Sequence, residues 1–268
     1  MAGAATVEKA LDVLFHLHEA GDALGLTEIG RALDLPKSSC HRLLSSLVAR
    51  DVVEQDFAGR YRPGLALLAL GIGAQNREPV IRAARSTLES EARHLGETVF
   101  LVGARRGTLR VLDKSEGSGF LRAAPAVGDE IPVDVTAAGQ LFRAFGRGPE
   151  WESAGEADEA AEADERRAAV RARGYALNQD AWISGLSVLG VPIWQAGPGG
   201  GQDLVAVMAL AASSPRFDAL GEGAVAERLL AAAEIVGQRL GLAESPRSRG
   251  SSRGSAAPAA QIEQGGAS

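Results

Sequence analysis

The stretch Leu35-Pro36-Lys37-Ser38-Ser39-Cys40-His41-Arg42-Leu43-Leu44-Ser45-Ser46-Leu47-Val48 decides the reading of this chain. Cys40, Leu43, Leu44, Leu47 and Val48 recur at the three- and four-residue spacing of one helix face. Pro36 suits the first turn of that helix, where its missing N–H costs nothing. The opposite face carries Lys37, Ser38, Ser39, His41, Arg42, Ser45 and Ser46. Hydroxyls and cations of this kind reach phosphates and base edges. Small serines at the helix start also let it approach a duplex closely. The helix is therefore expected to read DNA, with Lys37, Ser38, Ser39, His41, Arg42 and Ser45 in contact.

Upstream, Val7, Ala10, Leu11, Leu14 and Leu17 share one face of a first helix, which Gly21 and Asp22 break. Thr27 is placed to cap a second helix with Ile29, Ala32 and Leu33 inward, and Asp34 and Leu35 form the turn. Downstream, residues 52–55 and 60–62 flank a turn through Asp56 and Gly59, which reads as a β-hairpin. Helices and hairpin together make the pattern of a winged helix-turn-helix. Arg60 and Arg62 suit a wing lying on backbone or minor groove. Between Pro36 and Arg62 five Lys or Arg stand against three Asp or Glu. An excess that modest predicts that DNA affinity depends on dimerisation. The same pattern also serves a three-helix protein-interaction module.

Pro63 and Gly64 mark a boundary. Residues 65–72 are apolar with little polar face, too short for a domain and too apolar for a solvated linker. They are expected to be buried against a second copy. A helix is expected at 80–95, strands at 98–102, 109–114 and 120–124, and a helix at 135–145. Residues 150–165, rich in Ala and Glu, read as loop or helix, continuing as helix to Arg173, where Gly174 ends it. Strands at 187–194 and 204–211 flank a Gly-rich turn at 197–201, and a long helix spans 219–240. From Glu244 onward Ser, Arg, Gly, Ala and Pro dominate, the composition of a disordered tail. The expected division is a DNA-binding unit at 1–62, an interdomain and dimerisation helix at 63–78, a sensor at 79–243 and a tail at 244–268.

At 268 residues the chain has room for two domains, and 46% hydrophobic residues can furnish their cores. A net charge of −6 argues against a wholly basic nucleic-acid coat protein. A single cysteine, Cys40, excludes a disulfide framework and a cysteine-rich zinc site. No stretch has the form of a signal peptide, and no apolar run reaches the roughly 18 residues of a membrane span. These features describe a soluble cytoplasmic protein with no membrane partner. His16, His18, His41 and His94 lie at no metal-ligand spacing, and neither a G-x-S-x-G elbow nor a phosphate-binding loop occurs. The Gly-rich turn joins two strands rather than a strand and a helix. Asp129, Glu130 and Asp134 read as solvated loop carboxylates. The chain is thus expected not to be an enzyme and to need no metal or cofactor. The alternative is a signalling sensor, or an enzyme of the small-molecule domain, without DNA contact.

Residues 6–14 (Thr6-Val7-Glu8-Lys9-Ala10-Leu11-Asp12-Val13-Leu14), Leu26-Thr27-Glu28-Ile29 and residues 35–44 resemble the IclR family of bacterial regulators. Tyr61-Arg62-Pro63-Gly64, residues 67–71, Thr136-Ala137-Ala138-Gly139-Gln140, Arg173-Gly174-Tyr175-Ala176 and Gly190-Val191-Pro192-Ile193 extend the resemblance, in order, over about residues 6–242. It implies an α/β (α+β) chain: a winged helix-turn-helix followed by a GAF-like effector-binding domain. It also implies a homodimer or homotetramer on a palindromic double-stranded DNA operator, acting as repressor or activator under a small-molecule effector. The chain departs from the family at Gln140, where Lys is usual. The acidic patch after Arg-Gly-Tyr is reduced to Asn178, Gln179 and Asp180. By matching segments, the effector residues are Ala137, Ala138, Asn178, Val188, Met208 and Leu210. Val188, Met208 and Leu210 are apolar, so a ligand with an apolar body, aromatic or acyl, is expected rather than a short diacid. The same three side chains also suit ordinary sheet core.

Overall fold

The computed structural model describes residues 2–119, 125–151, 157–197 and 200–244. Helix α1 (Ala2–Ala20) leads into α2 (Leu26–Ala32) and α3 (Lys37–Val48), then the hairpin strands β1 (Val53–Gln55) and β2 (Tyr61–Pro63). Their shared core is Val13, Leu17, Ile29, Cys40, Leu44, Val53 and Tyr61. Val13 and Leu17 turn inward from α1, while Val7 and Leu11 lie outside with Phe15. The face shared by Val7, Ala10, Leu11, Leu14 and Leu17 is therefore divided: its C-terminal half, Leu14 and Leu17, meets the core, and Val7 and Leu11 stay outside. Gly25, not Thr27, precedes α2, and its N–H donates to the Glu28 carboxylate at 2.6 Å. Asp34 takes the left-handed conformation (φ 49°) in the turn before α3, which aspartate tolerates better than most residues. The Pro36 carbonyl accepts from Ser39 and Cys40 at 2.9 and 3.0 Å and so starts α3.

After Gly64 come α4 (Leu65–Arg77) and α5 (Pro79–Leu95), then β3 (Thr98–Arg105), β4 (Thr108–Ser115) and β5 (Glu130–Ile131). Helix α6 (Ala137–Phe145), a short 3-10 turn, α7 (Ala157–Arg173) and β6 (Ala176–Gln179) follow. The long pair β7 (Leu186–Ala196) and β8 (Gln202–Ser213) leads to α8 (Ser214–Leu220) and α9 (Glu222–Glu244). The expected single helix over 219–240 is thus two helices, parted at Gly221. The strand expected at 120–124 and the tail beyond Glu244 lie outside the described residues.

The six sensor strands form one sheet in the order β5-β4-β3-β8-β7-β6, each pair antiparallel. Alternation along each strand splits the side chains between two cores. Val99, Leu101, Leu189, Val191, Ile193, Met208 and Leu210 pack with Leu88, Leu229 and Val236 of α5 and α9. Phe100, Val102, Leu186, Val207, Ala209 and Ala211 pack with Leu141 and Phe142 of α6 and with Val170 of α7. Pro192 sits in β7 beyond residues 187–190, the part that β6 pairs, so a missing N–H is tolerated on that edge. The Arg216 guanidinium donates to the buried Glu97 carboxylate at 2.9 Å, and Arg228 pairs with Glu91. These two pairs hold α8 to the start of β3 and α9 to α5.

Candidate DNA-reading surface and effector cavity

The polar side of α3 is exposed. Lys37, Ser38, His41, Arg42 and Ser45 lie in solvent and Ser39 is half-buried, while Cys40 and Leu44 are sealed beneath them. Burial raises the Cys40 thiol above its ordinary range, which keeps it a neutral core side chain. The Ser46 hydroxyl donates back to the Arg42 carbonyl at 2.9 Å, so it is partly withdrawn from the surface set. Lys37 and Arg42 enter none of the ion pairs formed among the described residues, which leaves both cations available.

The wing differs. The Arg60 guanidinium donates to the Ala23 carbonyl at 2.7 Å and lies 3.4 Å from the Glu28 carboxylate. Arg62 donates through Nε to Glu54 at 2.7 Å and pairs with it through a second nitrogen. The structure thus brings the expected wing cations to the hairpin but spends each on a carboxylate of the same domain. Both pairs are solvent-exposed and each is worth about 0–1 kcal/mol, so a phosphate can compete for either arginine.

In the sensor, Thr136 starts α6. Its hydroxyl donates to the Pro132 carbonyl at 2.6 Å and accepts from the Gly139 N–H at 3.1 Å. Gly139 allows the close approach of this turn to Val133, since a Cβ there would meet the Val133 carbonyl oxygen at 1.8 Å. The first two helical N–H groups, those of Ala137 and Ala138, have no acceptor within an α-helix. Beside them is a cavity lined by Phe100, Ile131, Thr136, Ala137, Ala138, Asn178, Trp182, Leu186, Val188 and Ala209. Its free space is about 20 Å³, room for a single water.

Four of the six expected effector residues line this cavity: Ala137, Ala138, Asn178 and Val188. Met208 and Leu210 do not. They lie in the core against α5 and α9, because β8 alternates and it is Ala209, between them, that faces α6. On this strand the residue at the cavity is Ala209, one position from each of the two expected ones. Asn178 is also more committed than its chemistry alone suggests. Its Nδ2 donates to the Val135 carbonyl, and its Oδ1 accepts from the Ala181 N–H at 3.1 Å. Phe100, Ala209 and Leu186 could have been found by carrying the two-residue period across the paired strands. Trp182 lies on a loop and offered no periodic signal.

A helix-turn-helix with an exposed polar third helix, joined to an α+β domain with a small cavity between sheet and helix, defines the class of two-domain DNA-binding regulators. The sequence model of the IclR helix-turn-helix domain matches residues 6–56, and that of the bacterial transcriptional regulator IclR C-terminal domain matches residues 73–238. The chain belongs to the IclR family of transcriptional regulators. It is 28% identical over 203 residues to the HTH-type transcriptional regulator XynR of Escherichia coli (strain K12), covering 70% of this chain and 80% of that protein. It is 30% identical over 198 residues to the glycerol operon regulatory protein of Streptomyces griseus, covering 70% and 78%. The solved IclR transcriptional regulator from Alicyclobacillus acidocaldarius shares the fold, with a TM-score of 0.74 at 24% identity over 88% of this chain and 99% of that one. These relatives are regulators rather than enzymes. Among the described residues no helix is long and apolar enough to cross a membrane.

Proposed function

We propose that the chain is a cytoplasmic, effector-controlled regulator that binds a palindromic operator as a homodimer or homotetramer. Its working parts are a DNA-reading unit at 1–62, a dimerisation helix at 63–78, a sensor at 79–243 and a dispensable tail at 244–268. The observation that carries this reading is the pairing of two uncovered surfaces: the polar side of α3 and the apolar side of α1 and α4. Leu65 and Leu68 are 72% and 58% exposed, and with Phe15 and Ile72 they line a broad apolar groove. A second copy seated there would bury these side chains and set the spacing of two reader helices. The reader contacts are Lys37, Ser38, Ser39, His41, Arg42 and Ser45, with Arg60 and Arg62 joining when they leave their carboxylates.

The test is to recover from genomic fragments the duplexes that the purified chain retains, and to sediment the chain with and without them. Arg42→Ala weakens binding of such a duplex by about 1–3 kcal/mol if its contact is bidentate to a base. Unchanged affinity in the folded variant removes Arg42 from the reading set, and a lone monomer on a single half-site removes the dimer.

The effector enters at the start of α6. With Asn178 and the Thr136 hydroxyl engaged by backbone, the polar handle left is the pair of N–H groups of Ala137 and Ala138, where a helix start favours an anion. The remaining wall is apolar. The expected ligand has one polar end and an aromatic or acyl body, and Trp182 has to move to admit it. A short diacid would leave its second end desolvated without a partner. Calorimetric titration with short diacids, aromatic acids and acyl compounds tests this, and tight binding of a diacid overturns it.

A further inference from the structure

Phe57 stands at the tip of the wing with its side chain wholly exposed, at 113% of the reference value. Nothing in the described residues covers it, and a bare aromatic ring in water is costly to keep. It does not sit on a loose loop. The Asp56 carboxylate accepts from the Ala58 and Arg60 N–H groups at 2.9 and 2.8 Å. The Asp56 N–H donates to the Arg60 carbonyl at 2.8 Å, the Gly59 N–H to the Asp56 carbonyl at 3.0 Å, and the Gln55 amide to the Gly59 carbonyl at 3.1 Å. Gly59 closes the turn at φ 76°. The hairpin is in turn pinned to the helical body through Leu24 and Tyr61, whose N–H groups and carbonyls exchange bonds of 2.9 and 2.7 Å. The ring is thus presented by a turn whose own hydrogen bonds hold its shape.

The tip has little else to offer. Arg60 and Arg62 are occupied by Glu28 and Glu54, and Asp56 adds a negative charge. Before any phosphate displaces these carboxylates, the ring is the one group the tip presents without a partner among the described residues. Phe57 does not belong to the apolar groove of α1 and α4. That groove takes in Glu54, Arg62 and Pro63 at the base of the hairpin and leaves the tip out. A wing that follows a reader helix in the major groove meets the neighbouring minor groove, whose walls are apolar deoxyribose and whose base steps accept Phe as a wedge.

We infer that Phe57 is a DNA contact: its ring enters the minor groove flanking each half-site and supplies an apolar contact distinct from the phosphate contacts of the wing arginines. This rests on the DNA-binding reading above. The experiment is anisotropy titration of a duplex recovered by selection, at a series of salt concentrations, with the wild type, Phe57→Ala and Phe57→Leu. A second duplex carries diaminopurine for adenine in the flanks, which places an amino group on the minor-groove floor. Phe57→Ala should bind about ten-fold or more weakly, the scale of burying one Phe side chain. Its salt slope should be unchanged, because no phosphate contact is lost, and Phe57→Leu should keep most of the affinity. Diaminopurine should weaken the wild type and leave Phe57→Ala indifferent. The inference is overturned if the wild type binds and Phe57→Ala binds equally well, if the salt slope falls with the ring, or if diaminopurine affects both proteins alike. It is also overturned if Phe57→Ala changes the sedimentation of the free protein, which would make the ring a contact between copies. A wild type that retains no duplex at all defeats instead the reading on which the inference stands.

Discussion

On β8, Met208 and Leu210 face α5 and α9, while Ala209 and Ala211, one residue away, face α6. The two sides of this sheet have been filled differently. Toward α5 and α9, large aliphatic side chains interlock with two long helices, and Met208 and Leu210 are fully buried. Toward α6, alanines at 137, 138 and 209 meet across the layer and leave the cavity beneath Trp182. Small residues on both partners keep the layer open, whereas large ones on both close it. Both sides are buried cores, and only the α6 side keeps a small cavity, which is where the proposed effector would enter.

That contrast is open to attack by mutation. Met208→Ala carves a hole in the filled side and should cost about 2–5 kcal/mol in denaturant unfolding, with effector affinity per folded molecule unchanged. A stable Met208→Ala protein with altered effector binding would show that the two sides had been exchanged. Ala209→Leu does the reverse. It should fill the cavity, cost about 1–3 kcal/mol through overpacking, and abolish calorimetric binding of any compound that the wild type takes. Retained binding would move the effector elsewhere.

The smallest effect lies at the margin of the filled side. The Tyr175 hydroxyl donates to the Glu222 carboxylate at 2.7 Å, tying the start of β6 to α9. This hydrogen bond first, and burial second, raises the phenol above its ordinary range, with Arg173 opposing weakly. The folded state therefore holds the proton more tightly than the unfolded chain. The stability it contributes is whole below about pH 10 and is lost as pH rises through the raised folded value. Tyr175→Phe should cost about 0.5–1.5 kcal/mol near neutrality, and the gap from wild type should close in alkaline melts. A gap that holds constant with pH would mean that packing, not the hydrogen bond, is what Tyr175 contributes.

The reader helix was legible because its evidence is local. Cys40 and Leu44 on one side of α3, Lys37 and Arg42 on the other, follow from spacing alone. The residues around the α6 cavity were legible only as segments. Matching placed Ala137, Ala138, Asn178 and Val188 at the α6 cavity, yet Met208 and Leu210 lie on the opposite face of the sheet, one residue away from it. A slip of one position reverses a strand's faces, and nothing within a short apolar run says which parity faces which layer. Which part of the α1 apolar face is covered was not legible for a related reason. Val7, Leu11 and Phe15 are as apolar as Val13 and Leu17, and only the helices packed beside α1 show which set is covered.

The amino-acid sequence by itself determined most of the longer elements, the exposed polar side of α3, the order of the two domains and the family, because each is written in short-range periodicity or in a run of adjacent residues. Tertiary structure alone decided which polar groups remain free. Arg60 finds Glu28 on another element, Asn178 finds Val135 across 43 positions, and Arg62 finds Glu54 across the hairpin. A charge or an amide is available to a ligand only after its partners within the fold have been counted, and those partners are brought near by packing rather than by sequence distance.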